Sequence, residues 1–142
     1  MARRSPLVGC ALLFGTLVVA GALLTPRASG GSRIVNVTER DFRITVSTHR
    51  LSPGTVVFRV ANHGPDAHEL IVIRDAGQLP LRSDGITVNE EGLEKQTVGV
   101  LEPAGAGAVR ELRVNLGRGR YVLLCNMYGH FMGGMHAVVI VK

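Results

Sequence analysis

Residues Gly119–Val141 read GRYVLLCNMYGHFMGGMHAVVIV. Two runs rich in valine and leucine, YVLLC at Tyr121–Cys125 and HAVVIV at His136–Val141, flank a loop of different character. Such enrichment suits β-strands. Between them lie Met127, His130, Met132 and Met135, and Cys125 is the only cysteine beyond an N-terminal apolar run. A chain plain elsewhere collects its sulfur and imidazole at one strand-to-strand junction.

The same period-two pattern extends outward. Phe42, Ile44 and Val46 alternate with Arg43, Thr45 and Ser47, then SPG (Ser52–Gly54) turns the chain. Val56, Phe58 and Val60 repeat the alternation, NHGPD (Asn62–Asp66) is a second turn, and HELIVI (His68–Ile73) is an apolar strand. VRELRVNL (Val109–Leu116) and the turn GRG precede the quoted stretch. Strand-length runs parted by turn clusters predict an all-β, Greek-key antiparallel β-sandwich. Residues 76–99 break the rhythm, and a long flap or short helix is expected there. PAGAGA (Pro103–Ala108) reads as a flexible turn, since neither a strand-to-helix context nor a lysine makes it a phosphate loop.

The N-terminus is separate in kind. MARRSP is positive, and Leu7–Leu24 carries no charge. As a helix that run would span about 27 Å, borderline for crossing a bilayer. TPRASG offers small residues for cleavage after Gly30. Residues 1–30 are therefore expected to be a signal peptide or membrane anchor, attached through residues 7–24 if retained. Residues 31–142 then form the exported domain, periplasmic or extracellular and possibly membrane-anchored. Setting aside Arg3, Arg4 and Arg27 from the 16 basic side chains leaves 13 against 11 acidic ones. That balance, with arginines alternating along strands and no tryptophan, excludes a nucleic-acid partner.

Export makes Cys125 conspicuous, because thiols outside the cytoplasm usually end in disulfides and Cys10 lies in the leader. A thiolate, an imidazole and a thioether on one loop form a soft donor set suited to copper. A trigonal copper site needs a second histidine, and His68 stands at a turn-to-strand junction. A strand beginning at His68 and one ending at Cys125 can meet at the same end of a sandwich. Each residue alone has a plainer reading: His68 a strand-edge histidine bonded to backbone, Cys125 a small core hydrophobe, Met135 a gap filler, His130 an exposed loop residue. Their order and fold pattern together favour the metal. His49, His63 and His136 read as ordinary surface residues.

The whole pattern resembles the cupredoxins, the blue copper proteins, over about Ile34–Lys142, and is closest to small exported sulfocyanin-like members. GRYVLLCN, GHFMGGM and HELIVI carry the resemblance. It implies one type 1 copper ion, with His68, Cys125 and His130 as equatorial ligands and Met135 axial, Met132 being the second choice. Where many relatives have proline-glycine before the loop histidine, this chain has Tyr128-Gly129.

The resemblance implies a one-electron carrier, expected as a monomer, with redox partner proteins docking near His130 beside Tyr128, Phe131 and Met132. Glu69 and Asn126, next to ligands, are candidates for tying the loop to the upstream strand. The alternative is a copper carrier or sequestering protein without redox turnover, using Met127 and Met132 as further soft ligands. An enzyme is disfavoured. Five histidines cannot build a trinuclear cluster, one loop cysteine cannot build a binuclear centre, and a cysteine ending a strand is not poised as a hydrolase nucleophile.

Overall fold

The computed structural model describes residues 32–75 and 77–142, so the expected signal or anchor at 1–30 lies outside the described residues. Among the described residues nine strands follow in order: β1 (Arg33–Arg40), β2 (Arg43–Val46), β3 (Arg50–Leu51), β4 (Gly54–Asn62), β5 (His68–Arg74), β6 (Thr97–Ala104), β7 (Val109–Leu116), β8 (Gly119–Leu124) and β9 (His136–Val141). A 3₁₀ turn, Glu91–Leu93, interrupts the segment between β5 and β6. Among the described residues no helix is long and apolar enough to cross a membrane.

The strands form two sheets, β2-β1-β4-β7 and β3-β9-β8-β5-β6. The chain crosses between them after β2, β3, β4, β6 and β7, as Greek-key sandwiches do. Alternation decides what lies between the sheets. Val35 and Val37, Val56, Phe58 and Val60, Leu70 and Val72, Tyr121 and Leu123, and Val139 and Val141 all point into one core. Burying a side chain such as Phe58, wholly enclosed here, stabilises the fold by about 1.5–3 kcal/mol.

Two departures from the sequence expectation matter for the site. First, the sheets are mixed rather than purely antiparallel: β1 runs parallel to β4, and β3 parallel to β9. Between β1 and β4 the chain reverses twice, after β1 and after β3, so the two neighbours point the same way. Their C-terminal ends therefore coincide, and the Glu39 carbonyl accepts the His63 amide at 2.8 Å. Second, Phe42 is not a core residue of β2. It sits in the β1–β2 turn at φ 59°, half-exposed, while Ile44 fills the core.

The irregular segment before β6 does act as a flap. Val88 and Leu93 close over Ile71, Ile73, Val122 and Leu124 on the outer face of the second sheet. This double-sided burial explains the unbroken apolar run Leu70–Ile73 within HELIVI. PAGAGA is only partly a turn, because Pro103 and Ala104 end β6. β6 is an edge strand, where a proline costs no ladder bond.

Candidate metal centre

β5 and β8 are antiparallel neighbours, with Ile71 opposite Leu124. The start of one strand therefore lies beside the end of the other, and His68 meets Cys125 at that end. β8 and β9 pair with Leu124 opposite His136, so the loop between them closes one step further on. There the Cys125 amide donates to the Met135 carbonyl at 3.1 Å.

The loop is fixed by its own backbone. His130 N–H donates to the Met127 carbonyl at 2.8 Å, Gly133 to Gly129 at 2.9 Å, and Met135 to the His130 carbonyl at 2.9 Å. Gly129 takes φ 79° to make the bend before His130, a conformation costly to any residue with a Cβ.

His68, Cys125 and His130 bring one donor atom each to within 4.8 Å of one another, and all three side chains are buried. His130 Nδ1 lies 3.3 Å from His68 Nδ1 and 3.5 Å from Cys125 Sγ. Two ligands about 2.0 Å from one ion at trigonal angles would stand about 3.5 Å apart. Two imidazole nitrogens and one sulfur at such spacing fit a type 1 copper ion, whose trigonal site takes this donor set with a long axial thioether.

Met135 is fully buried in the core cluster that includes Cys125. Met132, by contrast, is 56% exposed, and Met127 packs on the core's edge. Cys125 is a free thiol. Burial pushes it up to about 11, against the Glu69 and Met127 amides that donate to its sulfur and favour the thiolate. Burial also holds His68 below the usual histidine range; His130 adds to this and Asp41 opposes it.

Glu69 and Asn126 meet as expected, the Asn126 amide donating to Glu69 Oε1 at 3.0 Å. Burial, and then Glu90, raise the Glu69 carboxyl above its ordinary range. The Asn126 side chain reaches the flap as well, donating to Glu90 Oε1 at 2.7 Å. Phe131 differs from expectation. It turns toward the flap's apolar cluster and lies 5.4 Å from the His136 ring, leaving Tyr128 and Met132 as the exposed apolar residues of the loop. His49 and His63 are exposed, the former bonded to the Val138 carbonyl at 2.7 Å.

Three residues at this end were not singled out from the sequence. Asp41 accepts from His68 Nε2 at 3.1 Å. Phe42 lies edge-on to the His130 ring, centroids 5.4 Å apart. Glu39, wholly buried, pairs with Arg110 at 2.7 Å. Their only sequence signal is the run Glu39–Phe42 itself, and its place beside the site depends on the parallel β1–β4 pairing.

Residues 43–142 match the sulfocyanin (SoxE) domain family. No curated protein matches. Among solved structures, a dithionite-reduced auracyanin from the photosynthetic bacterium Roseiflexus castenholzii superposes with a TM-score of 0.61 at 17% identity, covering 80% of this chain and 99% of that one. Auracyanin A from Chloroflexus aurantiacus, a "blue" copper protein, gives 0.58 at 16% identity, over 79% of this chain and 100% of that one. Rusticyanin from Thiobacillus ferrooxidans gives 0.62 at 17% identity, over 80% and 79%.

Proposed function

The chain belongs to the sulfocyanin family of cupredoxins, and from that premise we propose that it is an exported one-electron carrier. His68, Cys125 and His130 would hold a single type 1 copper ion, with the buried Met135 thioether as a weak fourth donor. The observation that carries the reading is the convergence of two buried imidazole nitrogens and one buried thiol. When bound, the copper supplies a one-electron couple between its cupric and cuprous states.

The chain's own residues do the rest. Cys125 would give the strong thiolate bond, and the Glu69 and Met127 amides that donate to its sulfur favour the charged form against the opposing effect of burial. His68, at the start of β5, anchors the site to the sandwich. A loop tied by its own hydrogen bonds resists rearrangement, so the same donor geometry serves both oxidation states. His130, 9% exposed on the loop that also presents Tyr128 and Met132 to solvent, is the route by which an electron reaches a docked redox partner. The core excludes water from the inner side, where His68, Cys125 and Met135 are wholly buried. The role is that of a carrier rather than an enzyme. Export rests on the sequence of residues 1–30, acting as signal or anchor, and a monomer suffices for transfer.

The test is the visible spectrum after adding Cu(II) to residues 31–142. An intense thiolate-to-copper band is expected in the wild type. Cys125→Ser should abolish it while far-ultraviolet circular dichroism still reports the folded sandwich. Retained colour in a folded Cys125→Ser protein would remove Cys125 from the site.

A further inference from the structure

Asp41 and Phe42 are consecutive residues of the β1–β2 turn, and each touches a different histidine of the proposed copper site. They lie just outside the span matched by the family, 43–142. Asp41 Oδ1 is 3.1 Å from His68 Nε2, the ring nitrogen facing away from Cys125. Phe42 lies edge-on to His130 at 5.4 Å. Two glycines make room for these contacts. A Cβ on Gly64 would stand 2.7 Å from Asp41 Oδ1 and 2.9 Å from His68 Nε2. A Cβ on Gly133 would stand 2.2 Å from Phe42 Cδ1. The turn pays for its position with backbone strain, since Phe42 takes φ 59°, which a bulky residue rarely adopts. Such strain persists where surrounding contacts over-determine it.

We propose that the Asp41–Phe42 turn is a clasp that positions the metal centre, Asp41 fixing His68 with Nδ1 turned inward and Phe42 closing the outer side of His130. The chemistry follows from the imidazole. A histidine that binds metal through Nδ1 must carry its proton on Nε2, and a buried N–H needs an acceptor. His68 is wholly buried, and Asp41 is the acceptor in reach. A carboxylate there does more than a carbonyl could. Its charge makes the ring a stronger donor, which favours the cupric over the cuprous ion. Asp41 is thus a positioning residue that lowers the reduction potential through His68. Phe42 acts by exclusion, its ring filling the space between His130 and the Gly133 backbone where water would otherwise reach the site.

The inference rests on the copper reading, but its first measurement does not need copper. Nitrogen-15 NMR of the metal-free protein reads which ring nitrogen of His68 carries the proton. The wild type should show the Nε2–H form and Asp41→Ala a mixture. Asp41→Asn, which keeps an acceptor and loses the charge, should retain Nε2–H. With copper added, Asp41→Ala should lose roughly 10–100-fold in Cu(II) affinity. Asp41→Asn should bind with its colour intact but at a higher potential, about 59 mV for each tenfold preferential loss of the cupric form. Phe42→Gly relieves φ 59° and removes the ring, so it should stay folded yet release copper faster to a chelator.

An Nδ1–H tautomer in the wild type overturns the clasp. So does an Asp41→Ala protein with unchanged tautomer and affinity. If Asp41→Ala does not fold, an unchanged potential in Asp41→Asn refutes the role of the charge, and unchanged copper release in Phe42→Gly refutes the role of the ring. A wild type that takes up no copper sinks the metal reading alone, since the tautomer comparison still decides whether Asp41 orients His68.

Discussion

Asn126 and Val88 are joined as two paired strand residues would be. The Val88 amide donates to Asn126 Oδ1 at 2.6 Å, and Asn126 Nδ2 donates back to the Val88 carbonyl at 3.0 Å. One side chain thus ties the residue after Cys125 to the flap over the second sheet. Asn126→Ala would leave a buried Val88 amide without a partner, at a cost of about 1–3 kcal/mol. The expected outcome is a lower urea midpoint with an unchanged m-value and an unchanged copper spectrum. A bleached spectrum would mean that the flap also holds the ligands in place.

Met135 and Met132 are separated by burial. Met135 is enclosed beside Cys125, whereas Met132 is exposed. Met135→Leu should keep copper and colour but raise the reduction potential, because losing a weak thioether donor favours the cuprous ion. Met132→Leu should move it much less. Voltammetry of the two proteins decides between them, and the reverse order would make Met132 the axial ligand.

Glu39 predicts a pH dependence of stability. Its side chain is fully buried, and burial pushes its carboxyl from an ordinary 4.5 up to about 7, despite the Arg110 guanidinium 2.7 Å away. A group bound more tightly to its proton in the folded state stabilises fully below its unfolded value. That contribution disappears as pH rises through the folded one. In the metal-free protein, wild type should lose on the order of 3 kcal/mol between pH 4.5 and 8 relative to Glu39→Gln. Glu39→Gln removes the titrating group and keeps a neutral side chain of the same shape, so the slope rather than the absolute stability is the diagnostic. Parallel stability curves for the two proteins in urea would show that Glu39 titrates normally.

The cluster of His68, Cys125 and His130 was legible because it depends on local strand patterning. Alternation places Leu70, Val72, Tyr121 and Leu123 on one inner face, which leaves β5 and β8 as neighbours and brings His68 to Cys125. The clasp was not legible. Phe42 continues the alternation of Ile44 and Val46, so periodicity assigns it to a strand face, and only the turn at φ 59° carries it to His130. Asp41 reaches His68 because β1 and β4 are parallel, a consequence of two chain reversals that no local pattern records. β6 was missed for a different reason. At the sheet edge Val98 and Val100 point outward, half-exposed, and bulges flank its pairing with β5, so neither alternation nor burial marks it.

The route of the electron can be tested at Met132. His130 is 9% exposed, and the exposed apolar side chains near it are Phe42 at 52%, against its ring, with Tyr128 at 75% and Met132 at 56% on its own loop. Phe131 is turned away into the flap cluster, which leaves Tyr128 and Met132 as the exposed apolar side chains that the loop brings to this patch. Beyond residue 30 the charges nearly balance, so long-range steering is weak and encounter depends on contact between apolar surfaces. Two copies meeting patch to patch would bring two Met132 side chains together. Met132→Lys would then oppose like charges across a desolvating contact and slow electron self-exchange by roughly tenfold. The spectrum should stay the same, because an exposed residue that is not a ligand does not alter the metal's donors. Line broadening in mixed-oxidation NMR samples measures the rate, at moderate salt so that screening does not hide the added charge. An unchanged rate with an unchanged spectrum would place the exit away from His130.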